Sequence, residues 1–118
     1  MDSKLVYMRF LNLLHTLEGE ESNASASMDL DAKKLLEVIA VRFEQKKPLT
    51  VTEAMALGHI ASPATIHRKL DQLRELGMIE TVFEGKNRRT KYLIPTENAH
   101  LHFENVGKAM KEAVMAAA

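Results

Sequence analysis

The chain has 118 residues, 16 basic against 16 acidic side chains, a hydrophobic share of 46% and no cysteine. That apolar share is too high for a disordered chain, the length fits one domain, and the missing cysteines exclude a disulfide framework, a Cys-ligated zinc site and a thiol switch. No apolar run reaches the ~18 residues of a membrane span, and no secretory leader pattern opens the chain, so a cytoplasmic protein away from membranes is expected.

Residues 4–18 are apolar on most sides (Leu5, Val6, Tyr7, Met8, Phe10, Leu11, Leu13, Leu14, Leu17), and no Gly or Pro interrupts them. They predict a helix. A helix apolar nearly all round must be covered nearly all round, either by the rest of its own chain or by a second subunit. The second subunit is the preferred reading, with Leu5, Met8 and Leu11 at the contact. Residues 19–27, GEESNASAS, are small and polar and predict a loop.

Ser27 or Asp29 is placed to cap a helix over 28–46, with Leu35, Leu36, Ile39, Val41 and Phe43 as its core face and Lys46-Lys47-Pro48 as its end. Thr50-Val51-Thr52-Glu53 fits a capping box, so a short helix is expected over 51–57, closed by Gly58. Ser62-Pro63 opens the next, with Ser at the cap and Pro at the first helical position; it runs to Leu76 and stops at Gly77. MIETVF at 78–83 alternates like a strand, residues 84–90 read as a polar turn, and 91–94 as a second strand ended by Pro95. Thr96 caps a last helix over 97–116. Its residues Ala99, Phe103, Val106, Met110 and Ala113 step by 4, 3, 4, 3, the seam of a coiled coil, which again predicts self-association.

This order defines an α+β chain, mainly α with one small β-hairpin: a winged helix-turn-helix. A single domain over 1–118 is expected, with dimerisation helices at 1–18 and 96–118 around a core at 28–95. The helix 62–76 carries the functional argument. At 100° per residue, centring Ile66 on the buried face brings Leu70 and Leu73 beside it. Ala64, Arg68 and Glu75 fall near the opposite side, with Thr65, Gln72 and Asp71 on the shoulders; Asp71 and Glu75 lie farther along, where the helix should be leaving the groove. Small, hydroxyl and basic groups near the helix start suit a major groove, and the free amides after Ser62 suit a phosphate. Charge is also gathered here: residues 62–91 hold 7 basic and 4 acidic side chains, against 7 and 9 in residues 1–61. Lys86, Arg88 and Arg89 are expected at the hairpin tip, where a minor-groove or backbone contact needs them.

Residues 49–105 resemble the winged-helix domain of the MarR family of bacterial transcription regulators. The resemblance rests on LTVTEAMAL, on SPATIHRKLDQLRELGMIE and on NRRTKYLIPTENAHLHFE. It implies a homodimer built from terminal helices and a recognition helix whose groove-reading positions fall on Ser62, Ala64, Thr65, His67 and Arg68. It also implies a wing arginine at Arg89, with Arg88 beside it. The chain departs from the family pattern at Asn87, where an Asp usually orients the wing arginine, and at Pro95.

No Gly-rich phosphate loop and no H-E-x-x-H spacing is present, so an enzyme, a metal site and a cofactor are not expected. The expectation is a homodimer binding double-stranded DNA in a sequence-specific way. Its contacts are Ser62, Ala64, Thr65, His67, Arg68, Lys69, Gln72, Lys86, Arg88 and Arg89, and its dimer interface adds Phe103, Val106 and Met110. A small-molecule effector is left open. The alternative is a winged-helix module that binds a protein partner through the same surface.

Overall fold

The computed structural model describes residues 2–20 and 28–116, with the backbone but not the side chains of Asn87 and Arg88. Most of the expected loop 19–27 lies outside the described residues, as does Ser27, one of its two candidate caps. Two compact units make up the chain: Met28–Ala99, and the segments Met1–Ser27 and His100–Ala118 together.

In the unit Met28–Ala99, helix α2 (Leu30–Glu44) starts at Asp29, whose carboxylate accepts from the Ala32 amide at 2.9 Å. It buries Ala32, Leu35, Leu36 and Ile39. Val41, expected in that face, is 55% exposed. Two residues beyond Ile39 it is turned by about 200° from it, so it points away. The helix closes at Lys46, which takes φ 62. The Lys46 and Lys47 amides donate back to the Phe43 and Arg42 carbonyls, each at 3.0 Å. This double closure requires a left-handed residue, a place usually given to glycine.

The short helix α3 (Val51–Met55) ends sooner than expected, with Ala56 as its last cap and Gly58 in the following turn. Its capping box is complete: the Glu53 amide donates to Thr50 Oγ1 at 3.1 Å, and the Thr50 amide to Glu53 Oε1 at 3.0 Å. The second of these bonds holds the Glu53 carboxyl below its ordinary range. Helix α4 (Pro63–Glu75) starts at Ser62, whose hydroxyl accepts from the Thr65 amide. Gly77, at φ 72, closes it; the Gly77 and Met78 amides return to the Arg74 and Leu73 carbonyls.

Strands β1 (Ile79–Glu84) and β2 (Asn87–Pro95) pair antiparallel, from Ile79↔Pro95 to Glu84↔Asn87. The expected seven-residue turn is therefore only Gly85-Lys86, with Gly85 supplying φ 52 at the position where a two-residue hairpin needs it. The register slips between Phe83↔Lys91 and Glu84↔Asn87, so residues 88–90 form extra length on β2. A bulge absorbs that length and lets the pairing run on toward the tip. At the other end, Thr96 Oγ1 donates to the Gly77 carbonyl at 2.6 Å and accepts from the Ala99 amide at 3.3 Å, starting helix α5 (Glu97–Ala116).

In the other unit, helix α1 (Ser3–Glu20) takes in Gly19 and Glu20, which were expected in the loop, and none of its residues is buried. Leu5, Tyr7 and Met8 are exposed and Leu11 is half-buried. Along α5, Ala109 and Ala113 are buried, Phe103 and Val106 half-buried, and Met110 exposed. Within one chain, then, the expected seam is only partly covered. No helix among the described residues is long and apolar enough to cross a membrane.

Two substitutions test this packing. Leu70 is 1% exposed, so Leu70→Ala should cost about 2–5 kcal/mol in chemical denaturation. Lys46→Gly should instead stabilise by about 0.5–1 kcal/mol, because relief of the left-handed strain exceeds glycine's extra unfolded-state entropy.

Candidate nucleic-acid interface

The burial of Ile66, Leu70 and Leu73 fixes the rotation of α4. Ser62, Ala64, His67 and Arg68 are thereby exposed, and Thr65 and Gln72 are half-buried at the edges. The first turn is tied together by hydroxyls. Ser62 Oγ donates to Thr65 Oγ1 at 3.0 Å, and that same oxygen accepts from an Arg68 guanidinium nitrogen at 3.2 Å. Arg68 is thus held back over the helix start, next to the amides that follow Ser62. Its guanidinium and the positive end of the helix dipole face one side, an arrangement that favours a bound anion.

Lys69, one of the expected contacts, has a partner within the fold. It is half-buried and its ammonium pairs with Asp29, the cap of α2. That contact fastens α4 to α2. The Lys69 hydrogen bond, helped by the Ala32 amide, holds the Asp29 carboxyl below its ordinary value. Farther along α4, Asp71 accepts from the Arg74 guanidinium at 2.8 Å and stands 3.5 Å from His67 Nδ1. Arg74 Nε also donates to Thr81 Oγ1 on β1 at 2.8 Å. Asp71, on the shoulder of the outward face, is therefore paired within its own helix, while Glu75 is exposed farther along that face.

The hairpin carries the second cluster. Lys86 occupies the two-residue turn, while Arg88 and Arg89 lie on β2 at the bulge and not in the turn, as the shorter turn dictates. Lys86 and Arg89 are exposed; the side chain of Arg88 lies outside the described residues. On the strands behind, Lys91 stands 6.0 Å from the centroid of its cross-strand partner Phe83. Tyr92 donates its hydroxyl to Glu84 at 3.1 Å, which raises the Tyr92 pKa.

Sequence reasoning found the outward residues but missed Asp29, Arg74 and Thr81 as parts of the site. The Asp71–Arg74 pair has the i,i+3 helical spacing and was open to discovery from the sequence. The Lys69–Asp29 pair spans 40 residues and left no local signal.

No family model matches the chain, and no curated protein matches it in sequence. Solved structures do share its fold. A MarR-like transcriptional regulator from Thermotoga maritima superimposes with a TM-score of 0.64 at 12% identity, over 99% of this chain and 81% of that one. A second transcriptional regulator from the same organism gives 0.65 at 13% identity, covering 95% and 69% of the two chains. FabT of Streptococcus pneumoniae, solved in complex with DNA, gives 0.57 at 21% identity, covering 98% and 80%. The chain has the winged-helix fold of MarR-like regulators.

The Asp29 contact sets a pH dependence. Its folded pKa lies below the ordinary 3.8, so the ion pair contributes stability above that value and loses it as pH falls through the folded pKa. Asp29→Asn keeps the cap and loses the charge. Thermal melts from pH 7 to pH 2.5 should show a shallower acid decline in this variant than in the wild type.

Proposed function

We propose that the chain is a DNA-binding regulator that reads double-stranded DNA as a homodimer. In this reading α4 enters the major groove and the hairpin is the wing, resting on the adjacent minor groove or backbone. The observation that carries it is the outward face of α4: Ser62, Ala64, His67 and Arg68 are exposed on a helix whose other side is locked in the core. Ala64 lets the helix approach the groove floor, while Arg68 is long enough for a guanine edge or a phosphate. Thr65 and Gln72 flank that face, and Lys86, Arg88 and Arg89 supply the wing contact. The fold is shared with transcriptional regulators, one of them solved with DNA. The role is one of binding, not catalysis.

The homodimer reading draws on α1, which leaves Leu5, Tyr7 and Met8 exposed, and on α5, which leaves Leu101, Met110 and Val114 exposed. So much apolar surface on two helices is what an obligate partner covers. Leu11, Phe103 and Val106 are half-buried and complete the proposed contact. Phe103→Asp places a charge in that contact and should convert the dimer to monomer or aggregate in light scattering.

Recognition helix and wing should fail differently. Arg68→Ala removes a base contact worth ~1–3 kcal/mol at one position and should relax sequence preference. Arg89→Ala removes a backbone contact; it should weaken matched and scrambled duplexes alike and lower the salt slope by about one charge per subunit. Fluorescence anisotropy across a salt series measures both. Wild-type binding in both variants would favour a protein partner for this surface.

A further inference from the structure

We propose that Arg74 is a positioning residue: its guanidinium is the joint that sets the angle of the hairpin against α4, and so the reach of the wing to a duplex. The inference rests on the DNA-binding reading above. Arg74 bonds to both elements at once, through Nε to Thr81 Oγ1 and through NH1 to Asp71 Oδ1, each at 2.8 Å. The guanidinium is planar and rigid, so bonds at two of its nitrogens fix its plane. The Asp71 anchor lies one turn back on the same helix, and the Thr81 anchor lies on β1.

The position of Thr81 along the hairpin matters. Before it in the chain, Met78 and Ile79 are buried, and its cross-strand partner Leu93 is buried beside it, holding this end of the hairpin to the core. Beyond it, Phe83, Glu84, Gly85, Lys86 and Arg89 are all exposed. The joint thus lies one residue before the Tyr92–Thr50 bridge opposite Val82, and beyond that bridge the ribbon runs out to its exposed tip. From Thr81 to Gly85 the strand spans roughly 13 Å at ~3.3 Å per residue. A 10° change at the joint moves the tip by roughly 2 Å, enough to break a hydrogen bond to a phosphate. Arg74 need not touch the duplex to decide whether the wing does.

The test has two arms. In the free protein, residual dipolar couplings of residues 79–95 relative to 63–75 report the hairpin's orientation. Thr81→Val, close in shape but lacking the acceptor, and Arg74→Lys, which keeps the charge but loses the fork, should both change them. A general loss of stability in a chain that stays folded would leave that orientation unchanged. In the second arm, both variants are titrated against the duplex that the wild type selects from a random library. Each should bind roughly 5- to 10-fold more weakly, and the loss should vanish in an Arg89→Ala background, where the wing contact is already weakened. Unchanged couplings, or a loss fully additive with Arg89→Ala, would overturn the joint while DNA binding stands. A wild-type chain that selects no duplex overturns the DNA-binding reading itself, and the role of the wing with it.

Discussion

Everything at the candidate interface depends on the rotation of α4, and that rotation is set by three apolar side chains. Ile66, Leu70 and Leu73 are essentially inaccessible. Their burial leaves one orientation in which Ser62, Ala64, His67 and Arg68 face out. Turning the helix by a single residue would move the stripe by 100° and put a polar group in the core, at a cost of several kcal/mol. The other features refine this placement. The Ser62 cap starts the helix, the Gly77 closure stops it, and Lys69–Asp29 and Arg74–Thr81 fasten it to α2 and to the hairpin.

Much of this was legible in the sequence because it is local. Capping residues announce themselves within four positions, as Thr50-Glu53 and Ser62-Pro63 do, and a buried stripe repeats with the helical period. Hydrophobicity taken without angle misplaces Val41, which is apolar yet turned about 200° from Ile39. Residues 84–90 are polar throughout, so composition alone makes the hairpin turn too long. Polarity does not reveal that Gly85 closes a two-residue turn or that a bulge absorbs residues 88–90. The Lys69–Asp29 pair has no local signal; only the tertiary fold brings Asp29 to Lys69. The left-handed Lys46 was invisible for a similar reason, since no local rule favours lysine there.

The neutral net charge is consistent with the proposed reading once the pairing is considered. Asp71 lies on the shoulder of the outward face and pairs with Arg74 of the same helix, while Glu75 is exposed on that face itself, near the helix end. Asp29 is occupied by Lys69. With these two acids engaged inside the fold, Arg68 and Lys86 shape the field at the helix start and the hairpin turn, while the exposed Glu75 lies about two turns from Arg68 along α4. Because that field arises at the surface, it is screened over about 8–10 Å at physiological salt. In the proposed reading it governs approach and orientation, while base discrimination rests on close contacts made by α4.

The most direct measurement is selection of bound duplexes from a random library by the intact chain, followed by sequencing. The account predicts enrichment of an inverted repeat, with half-sites about one helical turn, ~34 Å, apart, because two copies of α4 related by a twofold axis read it. A pool that stays random after repeated rounds at low salt would contradict it.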